Sequence, residues 1–154
     1  MKEGKKSEMA SRLVQDHKGL NEDIGALKIF MMKEVEPRDF GDWRLEFVWQ
    51  LRDFKNRLLK HFDLEEEGGF MADVLEAAPH SENQINALKA EHDQIVVNLD
   101  DVMDQLKAME ARDVTRLNNI RMAVNDIFSV LREHENQEHT LMQRAYFREY
   151  GGPA

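Results

Sequence analysis

The sequence predicts an all-α fold, an antiparallel four-helix bundle with up-down-up-down order. Its 154 residues contain only three prolines and eight glycines, which leaves four long segments free of strong helix breakers. Apolar residues recur in those segments at steps of three and four, the spacing of one face of an α-helix. The connections between the segments are short, as they are between antiparallel neighbours in a bundle. Because no linker or low-complexity segment divides the chain, we expect one domain over residues 1–154.

The first two helices end at residues that break helices. The first is expected over about 7–34, and Pro37 prevents its continuation. Its apolar face consists of Leu13, His17, Leu20, Ile24, Leu27 and Met31. The second begins near Asp39 or Asp42 and runs to about residue 67, where Gly68-Gly69 weakens or ends it and leaves room for a short helical piece over 70–77. Its inward face consists of Phe47, Leu51, Phe54, Leu58, His61 and Glu65.

The last two helices have recognisable starts. The third, over about 82–110, opens with Ser81 and Gln84 in the spacing of a capping box. Its apolar face consists of Ile85, Leu88, His92, Ile95, Leu99, Val102 and Leu106. The fourth starts near Asp113 and is expected to reach about residue 148. Its inward face consists of Ile120, Val124, Ile127, Leu131, His134, Glu138 and Leu141.

Composition narrows the class of protein. Hydrophobic residues make up 42% and charged residues 33%, and the net charge of −9 argues against a nucleic-acid partner. The absence of cysteine excludes disulfides, thiol chemistry, iron–sulfur ligation and zinc fingers. Residues 1–10 lack the apolar core of a secretion signal, and no apolar run reaches the ~20 residues of a membrane span. We therefore expect a soluble, cytoplasmic protein without a nucleic-acid or membrane partner.

Polar residues with metal-binding chemistry interrupt the apolar faces at one level of the predicted bundle. They are His17, His61, Glu65, His92, His134 and Glu138. In an antiparallel bundle the first and third helices start at one end, and their histidines lie roughly 15 Å from it at about 1.5 Å per residue. The histidines of the second and fourth helices lie at a similar distance from the same end. Burying such groups without partners costs several kcal/mol each, and a bound metal cluster would satisfy them together.

The ligand arithmetic favours two metals. Each His-x-x-x-Glu pair lies on one helix face, so the imidazole and the carboxylate of each pair enter one cavity. Two histidines per metal and two bridging glutamates supply four protein bonds to each ion. An oxo or hydroxo bridge makes five and leaves one octahedral position open. Imidazole with carboxylate suits two iron ions, with manganese or zinc as less favoured alternatives. The competing interpretation is a set of scattered polar residues, but the joint spacing argues against coincidence.

The sequence allows more than one role for some polar residues near the candidate ligands. Asn21, one turn after His17, either lines the open coordination position or lies at a helix interface. His139 is either a surface or supporting residue or a ligand that displaces Glu138. His80 is expected in a solvated loop, and of Glu65-Glu66-Glu67 only the first should point inward. The acids flanking the histidines should be mostly exposed, and they are Asp16, Glu91, Glu133 and Glu135.

At these residues the chain resembles the hemerythrin-like family, the His-His-Glu (HHE) cation-binding domains. The resemblance covers about residues 7–148 and rests on four elements that occur in the family's order. These are Asp16-His17-Lys18, His61-Phe62-Asp63-Leu64-Glu65, Glu91-His92-Asp93 and His134-Glu135-Asn136-Gln137-Glu138. All four together are strongly specific. The resemblance implies a hemerythrin-like bundle with a di-iron site.

Two departures from the oxygen-carrying hemerythrins are informative. Val96 stands where those proteins have a second histidine on the third helix, and His139 stands where they have an aspartate. Four histidines with two glutamates look more like the bacterial di-iron proteins linked to repair of iron centres and nitric-oxide stress. The set is also similar to the iron-sensing hemerythrin domain of an F-box protein. We expect no cysteine-bearing N-terminal domain of the kind associated with the repair proteins, which argues against that specific role. The lost ligand should weaken the preference for simple oxygen carriage.

Three functions remain open on the sequence. The first is a module that binds or senses O2 or NO at an open iron coordination position. The second is a di-iron enzyme that turns over peroxide or NO in stress defence. The third is iron storage, delivery or sensing, in which metal occupancy is itself the signal. The sequence identifies no protein partner and no oligomeric state.

Overall fold

The computed structural model describes residues 2–147, which fold as a bundle of four long helices and one short one. The helices are α1 (Lys2–Met31), α2 (Phe40–Glu66), α3 (Phe70–Ala77), α4 (Glu82–Ala108) and α5 (Val114–Tyr146). Single 3-10 turns, Pro37–Asp39 and Pro79–Ser81, lead into α2 and α4. Around the bundle, α2 packs between α1 and α4, and α5 packs between α4 and α1. This arrangement confirms the predicted all-α class and the short helix over 70–77.

The first helix starts earlier and stops earlier than the sequence predicts, at Lys2 and Met31. Its last carbonyls are satisfied by side chains of other helices, which the apolar spacing does not reveal. Arg121 of α5 donates from Nε to the Met31 carbonyl at 2.8 Å and from Nη2 to the Lys33 carbonyl at 2.9 Å. Trp43 of α2 donates to the Phe30 carbonyl at 3.3 Å. These donors fix where α1 ends.

The predicted capping box at the start of α4 is wrong, and the predicted start of α5 is confirmed. The Ser81 side chain makes no capping hydrogen bond. Its hydroxyl instead accepts from Arg144 Nη1 at 3.1 Å, and the same nitrogen lies 3.4 Å from Gln84 Oε1. The guanidinium of Arg144 in α5 therefore binds both the Ser81 and the Gln84 side chains, so neither takes part in a capping box. At α5, Asp113 accepts from the Arg116 amide at 3.1 Å as an N-cap. The expected end of this helix at residue 148 lies outside the described residues.

Two adjacent glycines separate α2 from α3. Gly69 has φ of +117°, in the left-handed region that favours glycine. A Cβ built on Gly68 would lie 2.3 Å from the Leu64 carbonyl oxygen, which no side chain could tolerate. The chain can turn here only because both positions lack a side chain, and the turn brings α3 against α2 and α5.

The buried side chains form two apolar clusters with a polar layer between them. The larger cluster gathers the C-terminal halves of α1 and α4 with most of α2 and the N-terminal half of α5. The smaller one gathers the opposite helix ends with α3. On every long helix the candidate ligands lie where one cluster gives way to the other: His17 follows Leu13 and precedes Leu20, and His92 follows Leu88 and precedes Ile95. The predicted common level of the four histidines is therefore present in the fold.

No helix within residues 2–147 combines the length and the apolar character that a membrane span requires.

Candidate metal centre

The structure brings all six predicted ligands into the polar layer, where each is buried. They are His17 on α1, His61 and Glu65 on α2, His92 on α4, and His134 and Glu138 on α5. The most exposed of them, His17, is only 5% exposed, and Glu65 is 0% exposed. Side chains of these types are rarely buried so completely unless they are paired or bind a metal.

The six residues form two overlapping groups of metal-compatible atoms. One group is His17, His61, Glu65 and Glu138, and the other is Glu65, His92, His134 and Glu138. Within each group the potential ligand atoms all lie within 4.8 Å of one another. Each group has its own two histidines, whereas both carboxylates belong to both groups. Two cations placed in the groups would therefore share the two glutamates.

The distances show how each carboxylate connects the two groups. Oε1 of Glu65 lies 3.5 Å from His61 Nε2 and 3.2 Å from His92 Nε2. Glu138 places Oε1 3.3 Å from His17 Nε2 and Oε2 3.3 Å from His134 Nε2. Two ligands bound at right angles to one metal, with bonds of about 2.1 Å, lie about 3.0 Å apart. The observed separations are close to that value.

Unpaired polar atoms concentrate in this layer. Within residues 2–147, the buried side-chain nitrogens and oxygens without a hydrogen-bond partner all belong to four of the six residues. They are Nδ1 and Nε2 of His17, Nε2 of His61, and both carboxylate oxygens of Glu65 and of Glu138. Each such group costs about 1–3 kcal/mol when it is left unsatisfied. Cations would compensate nearly all of these atoms at once, so the residues fit a metal centre.

His92 and His134 give the sharpest geometric sign of a cation. Their Nε2 atoms lie 3.0 Å apart. The Nδ1 atom of each ring lies 2.7 Å from a carboxylate oxygen, of Glu66 for His92 and of Glu91 for His134. Because the carboxylate accepts the Nδ1 proton, a neutral ring carries its lone pair on Nε2. Two lone pairs then face each other at a distance that suits two ligands of one metal and is otherwise repulsive.

The pKa shifts favour neutral imidazoles, the form that binds metal. Burial, with the nearby His17, lowers the pKa of His61 to about 4. Burial and the neighbouring His134 lower the pKa of His92 to about 3. Burial also lowers the pKa of His134, against the opposing effect of Glu91.

His17 and Glu138 shift in the opposite sense. Burial by itself lowers the pKa of His17, but contact with Glu138 raises it overall. Burial raises the pKa of Glu138, against the opposing effect of His17. His17 therefore holds its proton more strongly than the other three histidines do, and Glu138 holds one more strongly than an ordinary glutamate does.

Three outer carboxylates orient the imidazoles, and the sequence reasoning missed their role. Asp16 lies 3.4 Å from His61 Nδ1, while Glu66 and Glu91 make the 2.7 Å contacts to His92 and His134. Asp16 and Glu91 are partly exposed, at 44% and 35% of the side chain, and Glu66 is 31% exposed. Each acid is the sequence neighbour of a candidate ligand but contacts a histidine on the next helix. That adjacency is the signal that could have identified them.

The residues with open roles lie beside the centre. His139 is exposed and belongs to neither group of ligand atoms, and its ring centroid is 6.2 Å from that of His17. Asn21 donates to Glu135 of α5 at 3.1 Å. All four of these residues line a cavity of about 450 Å³ between α1 and α5. His80, as expected, is exposed in the turn before α4.

A second cavity reaches the centre from the other side of α1. It has a volume of about 240 Å³ and lies between α1 and α2. Its lining includes Asp16, Arg57, Lys60 and His61. Both histidines of the first group, His17 and His61, thus border a solvent-accessible space.

Comparison with known proteins agrees with the site. The family model described as the hemerythrin HHE cation binding domain matches residues 8–146, a span that contains all six candidate ligands. No significant match to the chain is found among curated proteins or among solved structures.

Proposed function

Because this chain belongs to the hemerythrin HHE cation-binding family, we propose that it is a non-haem di-iron protein that binds or senses O2 or NO. The observation that carries the proposal is the sharing of Glu65 and Glu138 by two groups of buried ligand atoms. Shared carboxylates in a bundle core, with histidines on either side, are the arrangement of di-metal carboxylate sites.

The proposed ligand set is the six residues of the polar layer. His17 and His61 would hold one ion, His92 and His134 the other, and both glutamates would bridge. Each ion would then have four protein ligands, fewer than the six of an octahedral iron site. Iron is favoured because the ligands are imidazoles and carboxylates, without thiolate. When bound, iron would supply redox chemistry and vacant positions for a small ligand.

The cavity beside His17 supports a small diatomic ligand. Its volume of about 450 Å³ accommodates O2 or NO, and its lining includes His17 as well as exposed residues such as His139. Asn21 and Glu135, hydrogen bonded to each other at 3.1 Å, stand at the edge of that route. The chain's own residues would thus admit a gas to one side of the centre while both apolar clusters exclude bulk water from above and below.

Turnover of peroxide or NO is the second candidate function, and His139 is the observation that favours it. This exposed imidazole shares the cavity with His17 and Glu135, so it could carry protons between solvent and a molecule reduced at the centre. Binding and turnover use the same ligands and differ in whether the small molecule is consumed.

The proposal is tested by metal content and optical spectra of protein purified from iron-supplemented cells. We expect about two irons per chain and a near-ultraviolet absorption that changes reversibly with O2 or NO. Consumption of peroxide or NO over many cycles would instead establish the enzyme. One iron per chain or less, or zinc with a featureless spectrum, would refute the di-iron function. His80→Ala, which removes an exposed histidine away from the centre, is the matched control and should retain full metal content.

A further inference from the structure

We propose that the two metal positions hold their ions unequally. The ion between His92 and His134 is bound tightly and exchanges slowly, and the ion between His17 and His61 is the exchangeable one. This inference rests on the proposed di-metal centre and adds to it an order of loading and release. Three observations support it: the outer hydrogen bonds, the packing of the imidazoles and the position of the cavities.

Among residues 2–147, only the position of His92 and His134 has a short hydrogen bond from each imidazole Nδ1 to an outer carboxylate. His92 and His134 each have an Nδ1 to carboxylate distance of 2.7 Å, the length of a charge-assisted hydrogen bond. A carboxylate in this place fixes the ring orientation and makes the opposite nitrogen a stronger ligand. Both imidazoles at this position are therefore held in the orientation that metal binding requires.

The other position lacks that support. Its His61 has a longer distance, 3.4 Å, to Asp16, a carboxylate that is 44% exposed and screened by water. Nδ1 of His17 is buried and has no hydrogen-bond partner among residues 2–147. An imidazole without such a hydrogen bond is less firmly oriented towards a metal and is a weaker ligand, so the ion is held less tightly.

The missing carboxylate has an identifiable cause. Asp16 of α1 contacts a histidine of α2, Glu66 of α2 contacts one of α4, and Glu91 of α4 contacts one of α5. If this pattern of contacts continued around the bundle, an acid of α5 would contact His17 of α1. Glu135 follows His134 and faces α1, but its Oε2 accepts from the Asn21 side chain at 3.1 Å instead. Among the described residues, His17 is therefore the one histidine of the polar layer whose Nδ1 contacts no outer carboxylate.

Ring packing and solvent access also indicate that the ion between His92 and His134 is held more tightly than the ion between His17 and His61. The ring of Phe62 stacks on His92, with centroids 3.9 Å apart and an interplanar angle of 10°. This contact restricts the His92 imidazole and shields it from water. His92 belongs to the pair that holds the tightly bound ion, called here the tight position. By contrast, the two cavities beside α1 are lined by His17 and by His61. An ion held by this pair has a path to solvent and to competing ligands.

The experiment measures ion release from the full chain loaded with two equivalents of Co²⁺, a spectroscopic probe for such sites. After an excess of a coloured chelator is added, we expect two phases of equal amplitude whose rates differ by about tenfold or more. That size follows from the 10- to 100-fold change in metal affinity that loss of an outer hydrogen bond typically causes. His17→Ala should remove the fast phase and His134→Ala the slow one.

Matched variants identify the cause. Glu91→Gln should accelerate the slow phase about tenfold and leave the fast phase unchanged. Asp93→Asn removes an exposed charge beside His92 without removing a hydrogen bond, and both phases should stay the same. Far-ultraviolet circular dichroism of each variant confirms that the helices are retained. Acceleration of the fast phase by Glu91→Gln would overturn the inference.

The number of ions bound per chain shows whether a negative result overturns the unequal binding of the two ions or the proposed di-iron function. Two ions that leave at the same rate would overturn the inequality and leave the di-metal centre intact. One ion per chain, released slowly and accelerated by Glu91→Gln, would support the tight position and refute the di-iron function.

Discussion

The Nε2 atoms of His92 and His134 lie 3.0 Å apart between two apolar clusters, with both Nδ1 atoms engaged by outer carboxylates. The chain therefore holds two candidate ligand atoms at a separation that suits one metal, through its own packing and hydrogen bonds. The arrangement is unfavourable without a cation, because the lone pairs of two neutral rings then face each other in a buried layer. When metal is absent, the buried polar groups of the candidate centre therefore lower the stability of the bundle.

Replacement of Glu138, one of the two carboxylates shared by both groups of candidate ligand atoms, should reveal this destabilisation directly. Glu138→Gln removes the charge of a carboxylate that is only 1% exposed and whose pKa burial raises, so the chelator-treated variant should be more stable than wild type by about 1–3 kcal/mol. The same variant should bind fewer metal ions. Urea unfolding with chelator and metal analysis measure the two effects. Glu133→Gln, at an exposed position on the same helix, should change neither, and an unchanged stability for Glu138→Gln would argue against this destabilisation.

Removal of metal should lower the melting temperature. An ion that binds only the folded chain stabilises it by about 2.7 kcal/mol when its free concentration is 100 times the Kd. For a chain of this size that corresponds to a shift of roughly 5–10 °C. Differential scanning calorimetry with and without chelator checks the expectation. Equal melting temperatures would show that the ligand atoms do not bind metal in the folded chain.

A core substitution outside the polar layer should separate stability from metal binding. Leu99 is 0% exposed within the larger apolar cluster, so Leu99→Ala should lower the free energy of unfolding by about 2–5 kcal/mol. The number of ions bound by the folded variant should not change. Unfolding curves and metal analysis of the same sample test this. A loss of metal in a fully helical variant would mean that the two apolar clusters and the polar layer are not independent.

The guanidinium of Arg121 should contribute measurably to the end of α1. It donates to the carbonyls of Met31 and Lys33, and loss of hydrogen bonds from a charged donor costs about 1.5–3 kcal/mol. Arg121→Ala should therefore be destabilised by that amount and exchange the last amide protons of α1 faster. Arg116→Ala, at an exposed position on α5, is the control and should stay within about 0.5 kcal/mol of wild type.

Two glycine substitutions should have opposite signs. Gly69→Ala forces a side chain into a left-handed conformation with φ of +117° and should cost about 1–2 kcal/mol. Gly25→Ala lies inside α1, where a Cβ meets no atom within 4 Å, and should stabilise the chain by roughly 0.5–1 kcal/mol. Chemical unfolding of both variants is the measurement. A destabilised Gly25→Ala would show that the glycine is needed for more than its backbone.

The parts of the structure that depend on one helix at a time were predictable from the sequence. The spacing of Leu13, His17 and Leu20 determines which face of α1 is buried, and it places a histidine on that face whatever the partner is. Repeated on four helices, the same reasoning identified the residues that meet in the polar layer. Their role as metal ligands stays a prediction.

The parts that depend on two helices were not predictable in this way. Ser81 was expected to cap α4, but an arginine from α5 occupies its hydroxyl. Glu66 was expected in solvent, but it reaches His92 across the α2–α4 interface. Whether a partly exposed side chain bonds to a neighbouring helix depends on the rotation and separation of the two helices. The periodicity of one helix carries no information about either.

The distribution of the six candidate ligands over all four long helices constrains when the centre can form. A nascent chain that has extended through α4 presents His17, His61, Glu65 and His92 but lacks both residues of α5. Neither group of ligand atoms is complete until Glu138 has left the ribosome and α5 has docked. Ions bound in this layer would therefore be acquired only after the apolar clusters have brought α5 against the other helices.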